Sequence, residues 1–303
     1  MRVLVTGSNG LLGSKLLAAM RARPDLTPLG ASRDPSPAAS LADVPYYRLD
    51  IIDNASVTRV FDEARPDVVI HAAAMTDVDG CERNPDEAWV VNVEGTRHVV
   101  EACNRFGARI VHLSSEYVFD GRAGPYAETD PPNPLSVYGR SKLASEEAVA
   151  GARVGWAVAR TTVVFGYSPS ARRNFVLWLL DRLADREPVR IVADQVGSPT
   201  LADSLAEMVL ALATRAGHGI YHTVGASRLS RYDFSRLVAE VFGHDPDLVQ
   251  PIDTPSLKQP APRPLRAGLS VDRFRREFPD VPVLDARTAL LWLQAQLGAA
   301  DRV

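Results

Sequence analysis

The sequence predicts an α/β fold, a doubly wound parallel sheet with a smaller, interleaved C-terminal lobe, and three observations carry that prediction. Short β-rich runs alternate with amphipathic stretches through the first half of the chain. The runs VLV, VVIHAA and IVHL are apolar on both faces, as interior parallel strands covered on both sides must be. The first run leads directly into a glycine turn that opens a helix.

Strands are expected at Arg2 to Thr6, Pro28 to Ser32, Tyr46 to Leu49, Asp67 to Ala73, Arg109 to Ser114 and Trp156 to Thr161. Helices fill the gaps at Leu11 to Arg23, Ser56 to Ala64, Glu87 to Phe106 and Val137 to Gly151, ending near Gly or Pro. Beyond Thr162 the alternation loosens. Helices are predicted at Arg172 to Asp185, Leu201 to Arg215, Ser230 to Phe242 and Ala286 to Leu297, and the proline-dense stretch Pro251 to Pro264 reads as a surface loop. Residues 1–164 with about 200–225 are assigned to a nucleotide-binding domain, and 165–199 with 226–303 to a substrate-binding lobe. No internal repeat is present.

Composition narrows the function classes. Of 303 residues, 46% are hydrophobic and 23% charged, enough apolar material for a full core. A formal charge of -3 offers no broad cationic field, which argues against nucleic-acid binding. Cys81 and Cys103 sit in no metal-like or redox-like spacing and read as buried thiols of a cytoplasmic protein. The N-terminus has no leader pattern, and no run reaches membrane-spanning length, so no membrane association is expected.

Gly7-Ser8-Asn9-Gly10-Leu11-Leu12-Gly13 stands between strand and helix at the head of a βαβ pattern, which makes the sheet Rossmann-type. Gly7 permits the tight turn, Gly10 admits a pyrophosphate close to backbone amides, and Gly13 lets helix and strand approach. Asn9, Leu11 and Leu12 complete the cradle. At the end of the second strand, Ser32 and Arg33 suit a ribose 2'-phosphate, so NADP(H) is the preferred cofactor and NAD(H) the alternative; Asp34 pulls the other way. After the third strand, Asp50 could accept an adenine amino proton and Ile51 cover the ring.

Tyr138 and Lys142 are four residues apart on a predicted helix and therefore share a face. Reducing a carbonyl by hydride leaves charge on oxygen, which needs a hydrogen-bond donor and a proton. Tyr138 would give the proton, the Lys142 ammonium would lower the phenol pKa, and Ser115, at the end of the fifth strand, would hydrogen-bond the carbonyl oxygen.

The stretches GSNGLLG, HAAAMTDVDGCE, SSEYVFDGRAGPY, PLSVYGRSKLASEE, ADQVGSPT, GIYHTVG and RPLRAGLS occur in this order over nearly the whole chain. With them the sequence resembles the dTDP-4-dehydrorhamnose reductase group of extended short-chain dehydrogenases, to which the regulatory β subunit of methionine adenosyltransferase is related. The resemblance implies a Ser/Thr-Tyr-Lys oxidoreductase of dTDP-rhamnose biosynthesis, acting on a nucleotide-linked sugar. It implies Ala72, Ala73, Ala74 and Asn92 at the cofactor, and Thr76, Val78, Glu116, Tyr117, Val163, Asn174 and Gln195 at the substrate. Departures from the pattern bear on the sugar and on assembly. Ser115-Glu116 replaces Thr-Asp, Val163 stands where rhamnose-forming members carry Trp, and Ala267 and Ser270 replace Ser and Asp. Lys15 replaces an acidic residue used by some members at a metal-bridged dimer contact, and a homodimer remains open.

His71, His98 and His112 lack paired ligand spacing and read as satisfied or partly buried imidazoles; no metal site is expected. Arg172, Arg173 and Asn174 read equally as a diphosphate site or a solvated helix start. Trp178 with Leu179 and Leu180 reads as core. The leading expectation is NADPH-dependent reduction of a 4-keto-6-deoxy sugar nucleotide. The alternatives are an epimerase or dehydratase of the same fold and a non-catalytic NADP-binding subunit.

Overall fold

In chain order the first half runs β1 (Arg2–Thr6), α1 (Leu11–Arg21), β2 (Thr27–Ser32), β3 (Tyr46–Arg48), α2 (Asn54–Ala64), β4 (Val68–His71), α3 (Val78–Arg83), α4 (Pro85–Trp89), a π turn (Val90–Glu94), α5 (Gly95–Phe106), β5 (Arg109–Ser115), α6 (Val137–Ala150) and β6 (Trp156–Thr161). There follow β7 (Val164–Phe165), α7 (Phe175–Ala184), β8 (Val189–Val192), β9 (Val196–Gly197), β10 (Thr200–Leu201), α8 (Ala202–Thr214), β11 (Gly219–His222), β12 (Leu229–Ser230), α9 (Arg231–Phe242), β13 (Val249–Ile252), α10 (Asp272–Glu277) and α11 (Ala286–Ala300). The structure is a computed structural model and describes residues 1–169 and 171–300.

Seven strands form one sheet in the order β11-β6-β5-β4-β1-β2-β3, and every pairing in it is parallel. Strand alternation explains why the runs are apolar on both faces. Val3 and Val5 join the core made with Leu16 and Met20 of α1 and Leu205 and Val209 of α8. Leu4 joins the opposite core with Val57 and Phe61 of α2 and Val99 of α5. Each such side chain is fully buried, a burial that contributes roughly 1.5–3 kcal/mol apiece. The chain leaves β1 toward β2 on one side and later returns to place β4 on the other, which opens a crevice at the carboxyl ends of β1 and β4. A third core gathers Phe165, Val176, Leu179, Phe234, Val238, Leu290 and Leu293 from β7, α7, α9 and α11.

Three sequence expectations are corrected. The helix predicted over Glu87 to Phe106 is broken by the π turn at Val90–Glu94, because continuous amphipathic periodicity carries no sign of one extra residue in a turn. The outermost strand β11 was recognised only as a motif. Pro251 lies in β13, paired in parallel with β8, rather than in a loop; this two-stranded sheet leaves β13 a free edge, where a missing amide proton costs nothing.

Candidate active site

The turn after β1 is built from backbone. Gly7 has φ +68, and a Cβ there would stand 2.9 Å from the Ala73 nitrogen, so β1 and the exit of β4 can meet only around glycine. A Cβ on Gly13 would lie 2.7 Å from the Ser8 Cα, which requires glycine for the close return of α1 over the turn. At Gly10 the only protein atom near such a Cβ is the Gly7 oxygen at 3.2 Å, which leaves that side open. Gly10 is also the N-cap of α1 and supplies no side chain to its first amides. Free first-turn amides and the positive end of the helix dipole suit a pyrophosphate, with the half-buried Leu11 and Leu12 in that turn.

At the tip of β2, Asn9 Nδ2 donates to Asp34 Oδ2 at 2.9 Å and Asn9 Oδ1 accepts from the Ala38 amide at 3.0 Å. Ser32 Oγ lies 3.1 Å from the same Asp34 oxygen and 2.8 Å from the Tyr46 hydroxyl. Asn9 and Ser32 therefore already hold a carboxylate, while Arg33 is exposed beside them. Asp50 Oδ1 accepts from the Ile52 amide at 3.2 Å. Ile51 is buried against Gly95 as a wall. Ala72, Ala73 and Ala74 line the exit of β4, half-buried, and the Ala73 amide donates to Thr6 Oγ1 at 3.2 Å.

Asn92 is 1% exposed; its Nδ2 donates to the Met75 carbonyl at 3.1 Å and to Ser141 Oγ at 2.9 Å, and its Oδ1 accepts from the Met75 amide at 2.8 Å. Those bonds use both amide protons and one lone pair of the oxygen, so Asn92 ties the 75 loop to α6. The π turn is what brings it there.

Ser115, Tyr138 and Lys142 come together as the spacing requires. Ser136 caps α6, accepting from the Gly139 amide at 3.1 Å, and the next turns carry Tyr138 and Lys142 inward, both buried. A Cβ on Gly139 would run into the Tyr117 carbonyl, so glycine lets α6 seat closely on the loop after β5. Burial raises the Tyr138 pKa, and the neighbouring Ser115 hydroxyl opposes that rise. Burial lowers Lys142 to about 8, against the attraction of Glu146. The Lys142 Nζ lies 3.2 Å from His112 Nε2. Glu146, one turn further on, forms a buried pair with Arg160 at 2.7 Å that locks α6 to β6.

Around the phenol, Cys81, Ala88, Val78, Met75 and Tyr117 form an apolar collar, with the Tyr117 ring edge-on to Tyr138 at 5.5 Å. Thr76 is exposed at its rim. Beyond Tyr117 lies a small cavity lined by Glu116, Val163, Gln195, Gly197, Arg231 and Pro264. Burial raises the Glu116 pKa; its carboxyl accepts from Thr162 Oγ1 and, at 3.1 Å, from the Gly268 amide, and both bonds oppose the rise. Val163 holds φ +44, a left-handed conformation that a β-branched residue adopts at a cost of about 1–3 kcal/mol. Gln195 Nε2 donates to Thr254 Oγ1 at 2.9 Å.

Asn174 is engaged by its own helix. It caps α7, accepting from the Val176 and Leu177 amides, and its Nδ2 donates to the Gly166 carbonyl. Arg173 pairs with Asp181 on the exposed face of the same helix. The helix begins at Phe175, and of the two readings the capped helix start is the one observed.

Sequence reasoning missed the cations of this end. Arg263 is 8% exposed and bonds Asp79 at 2.9 Å; with Arg231 it lowers the pKa of Tyr117 against burial, which raises it. Arg263 stands inside the motif RPLRAGLS, so a signal existed; Arg231, the first residue of α9, had none. No cluster of three or more His, Cys, Asp or Glu that could hold a metal occurs among the described residues, and no helix among them is long and apolar enough to cross a membrane.

Comparison with known proteins agrees with this geometry. The pattern of the RmlD substrate binding domain matches residues 1–290. A dTDP-4-dehydrorhamnose reductase of Mycobacterium tuberculosis is 40% identical over 276 residues, 89% of this chain and 84% of that protein. One from Burkholderia thailandensis is 35% identical over 301 residues, 92% of this chain and 95% of that protein. The crystal structure of dTDP-4-dehydrorhamnose reductase from Bacillus anthracis in complex with NADP superposes with a TM-score of 0.85 at 29% identity, covering 97% of this chain and 99% of that one. The chain therefore belongs to the RmlD substrate-binding-domain family.

Proposed function

We propose that this protein is an NADPH-dependent ketoreductase that reduces the 4-keto group of a nucleotide-linked 4-keto-6-deoxy sugar, with dTDP-4-dehydrorhamnose the first substrate to test. One observation carries the reading: a buried phenol, Tyr138, is set beside the Ser115 hydroxyl at the carboxyl end of β5 and stands one helical turn before a buried amine, Lys142. The names of the relatives support the substrate, and the NADP-bound neighbour supports NADP(H) over NAD(H). The open side of Gly10 and the uncapped start of α1 fit the pyrophosphate.

The bound dinucleotide would supply a hydride to the keto carbon. Tyr138 delivers a proton to the oxygen on which charge develops, and a phenol kept protonated by burial is suited to give it. Ser115 donates a hydrogen bond to the same oxygen. Tyr117, Val78 and Cys81 exclude water from the phenol. Glu116 and Gln195 face the sugar, and Arg231 and Arg263 favour the anionic diphosphate. In this division of labour residues 1–164 with about 200–225 hold the nucleotide cofactor and 165–199 with 226–303 the substrate. We further propose a cytoplasmic protein that binds no nucleic acid and assembles as a homodimer. That dimer would do without a metal bridge at Lys15, which is committed to Asp203 at 3.0 Å and to Gln296. Light scattering after size exclusion tests the assembly.

The function is tested with a panel of nucleotide-linked keto sugars assayed for NADPH oxidation. Stoichiometric oxidation with a 4-keto-6-deoxy sugar is the expected result. Turnover of a sugar with a tightly held cofactor and no net oxidation would make it an epimerase or dehydratase. No turnover, with a synthetase co-purifying, would make it a regulatory subunit.

A further inference from the structure

We propose that His112 is a positioning residue for Lys142: its Nε2 lone pair takes one ammonium proton and thereby aims the other two at the crevice. The inference rests on the ketoreductase reading for its kinetic arm only. His112 and Ser114 share the face of β5 that α6 covers, and His112 Nε2 has two neighbours there, Lys142 Nζ at 3.2 Å and Ser145 Oγ at 2.9 Å. Ser145 Oγ donates its single proton to the Lys142 carbonyl at 2.7 Å, so toward His112 it presents lone pairs. The two neighbours therefore ask Nε2 for opposite things. A charged Lys142 needs a lone pair on Nε2, while Ser145 favours a proton there. The tautomer of His112 is coupled to the charge of Lys142.

The surroundings keep the imidazole neutral and in place. His112 Nδ1 has no hydrogen-bond partner among the described residues, so nothing else fixes its proton. His71 stacks on it at 5.2 Å. Thr96 Oγ1 donates to the Asn92 carbonyl at 2.7 Å and so must accept from His71 Nε2, 3.1 Å away, which leaves His71 Nδ1 to accept from Thr6 Oγ1 at 2.8 Å. His71 is thus a fixed, neutral backing. The other ionisable groups around the pair are Tyr138, one turn before Lys142, and Glu146, one turn after, whose carboxylate is engaged by Arg160 and Ser114. Burial, and then Lys142, hold His112 well below the usual histidine range, so it stays an acceptor through neutral pH. An ammonium has three protons and Lys142 is 2% exposed. Without His112 it loses the one nitrogen acceptor beside it, and the charged form is disfavoured further.

His112→Phe keeps a ring against His71 and removes the lone pair; His112→Gln puts an amide oxygen near the place of Nε2. The kcat for the keto sugar and the affinity for NADPH, read by fluorescence titration without sugar, are measured from about pH 6 to pH 10. In His112→Phe the alkaline limb of both profiles moves down by about one pH unit and kcat near neutrality falls by about tenfold or more, with the sugar KM changed less than about threefold. His112→Gln returns both limbs to wild type. Should His112→Phe fail to fold, Ser145→Ala, which removes the competing lone pairs, moves the binding limb upward. Limbs that coincide with wild type in every folded variant overturn the proposal. A wild-type protein that reduces no keto sugar defeats the ketoreductase reading instead, and the binding limb still decides the role of His112.

Discussion

The two ends of the crevice are made differently. The phosphate end is one contiguous stretch, Gly7 to Gly13, in which backbone does the work and side chains are excluded by contacts such as the 2.9 Å that would separate a Gly7 Cβ from the Ala73 nitrogen. The proposed sugar end is assembled from Glu116, Val163, Gln195, Arg231 and Pro264, residues far apart in the chain, and includes a buried carboxyl, a strained valine and an arginine. A site written in consecutive backbone is readable and tolerates few changes. A site assembled across distant segments is hard to read from sequence.

The comparison predicts separable losses. The largest is Tyr138→Phe, between the two ends: kcat should fall by about a thousandfold while NADPH affinity stays within about threefold. Activity within tenfold of wild type would remove the phenol from the mechanism. Next is Gly13→Ala, which forces a Cβ onto the Ser8 backbone at 2.7 Å. NADPH binding should weaken by about a hundredfold, and the melting midpoint in urea should report a loss of about 1–3 kcal/mol; unchanged binding would deny the backbone its role.

Both ends share a sheet whose imidazoles are buried neutral, His71 and His222 each pushed down by burial to about 3. An unfolded chain takes up those protons near pH 6.5, so it binds more protons than the fold between about pH 6.5 and 3, and stability falls as pH drops through that window. Urea midpoints measured down the series check this, and His222→Phe should flatten the slope. Smaller and confined to the sugar end, Arg263→Ala should raise the KM of the nucleotide sugar about tenfold with NADPH affinity unchanged, read by separate titrations. Smallest is Asp34→Asn. Removing the carboxylate that Asn9 and Ser32 hold should shift the NADPH to NADH ratio of dissociation constants several-fold toward NADPH. A shift toward NADH would show that Asp34 does not border the 2'-phosphate.

What the sequence made legible follows the same line. The sheet, its glycine turn and the Ser115, Tyr138 and Lys142 grouping were readable because periodicity and short spacings encode them. The hydrogen bonds that Asn92 and Asn174 make within the fold were not legible, because a motif position says which residue stands there and not which groups it meets. The π turn and Arg231 gave no local signal, and β11 showed only as a motif; each is fixed by packing between segments distant in sequence. His112 reads as a satisfied or partly buried imidazole; it is buried, and its Nδ1 has no hydrogen-bond partner among the described residues.

Transfer of deuterium from C4-labelled NADPH into the sugar, followed in wild type and in Tyr138→Phe, tests the central claim most directly. The account predicts one deuterium at C4 of the product sugar, with oxidised cofactor released in equal amount, and labelled product accumulating about a thousandfold more slowly in the variant. A turned-over sugar that carries no label would contradict it.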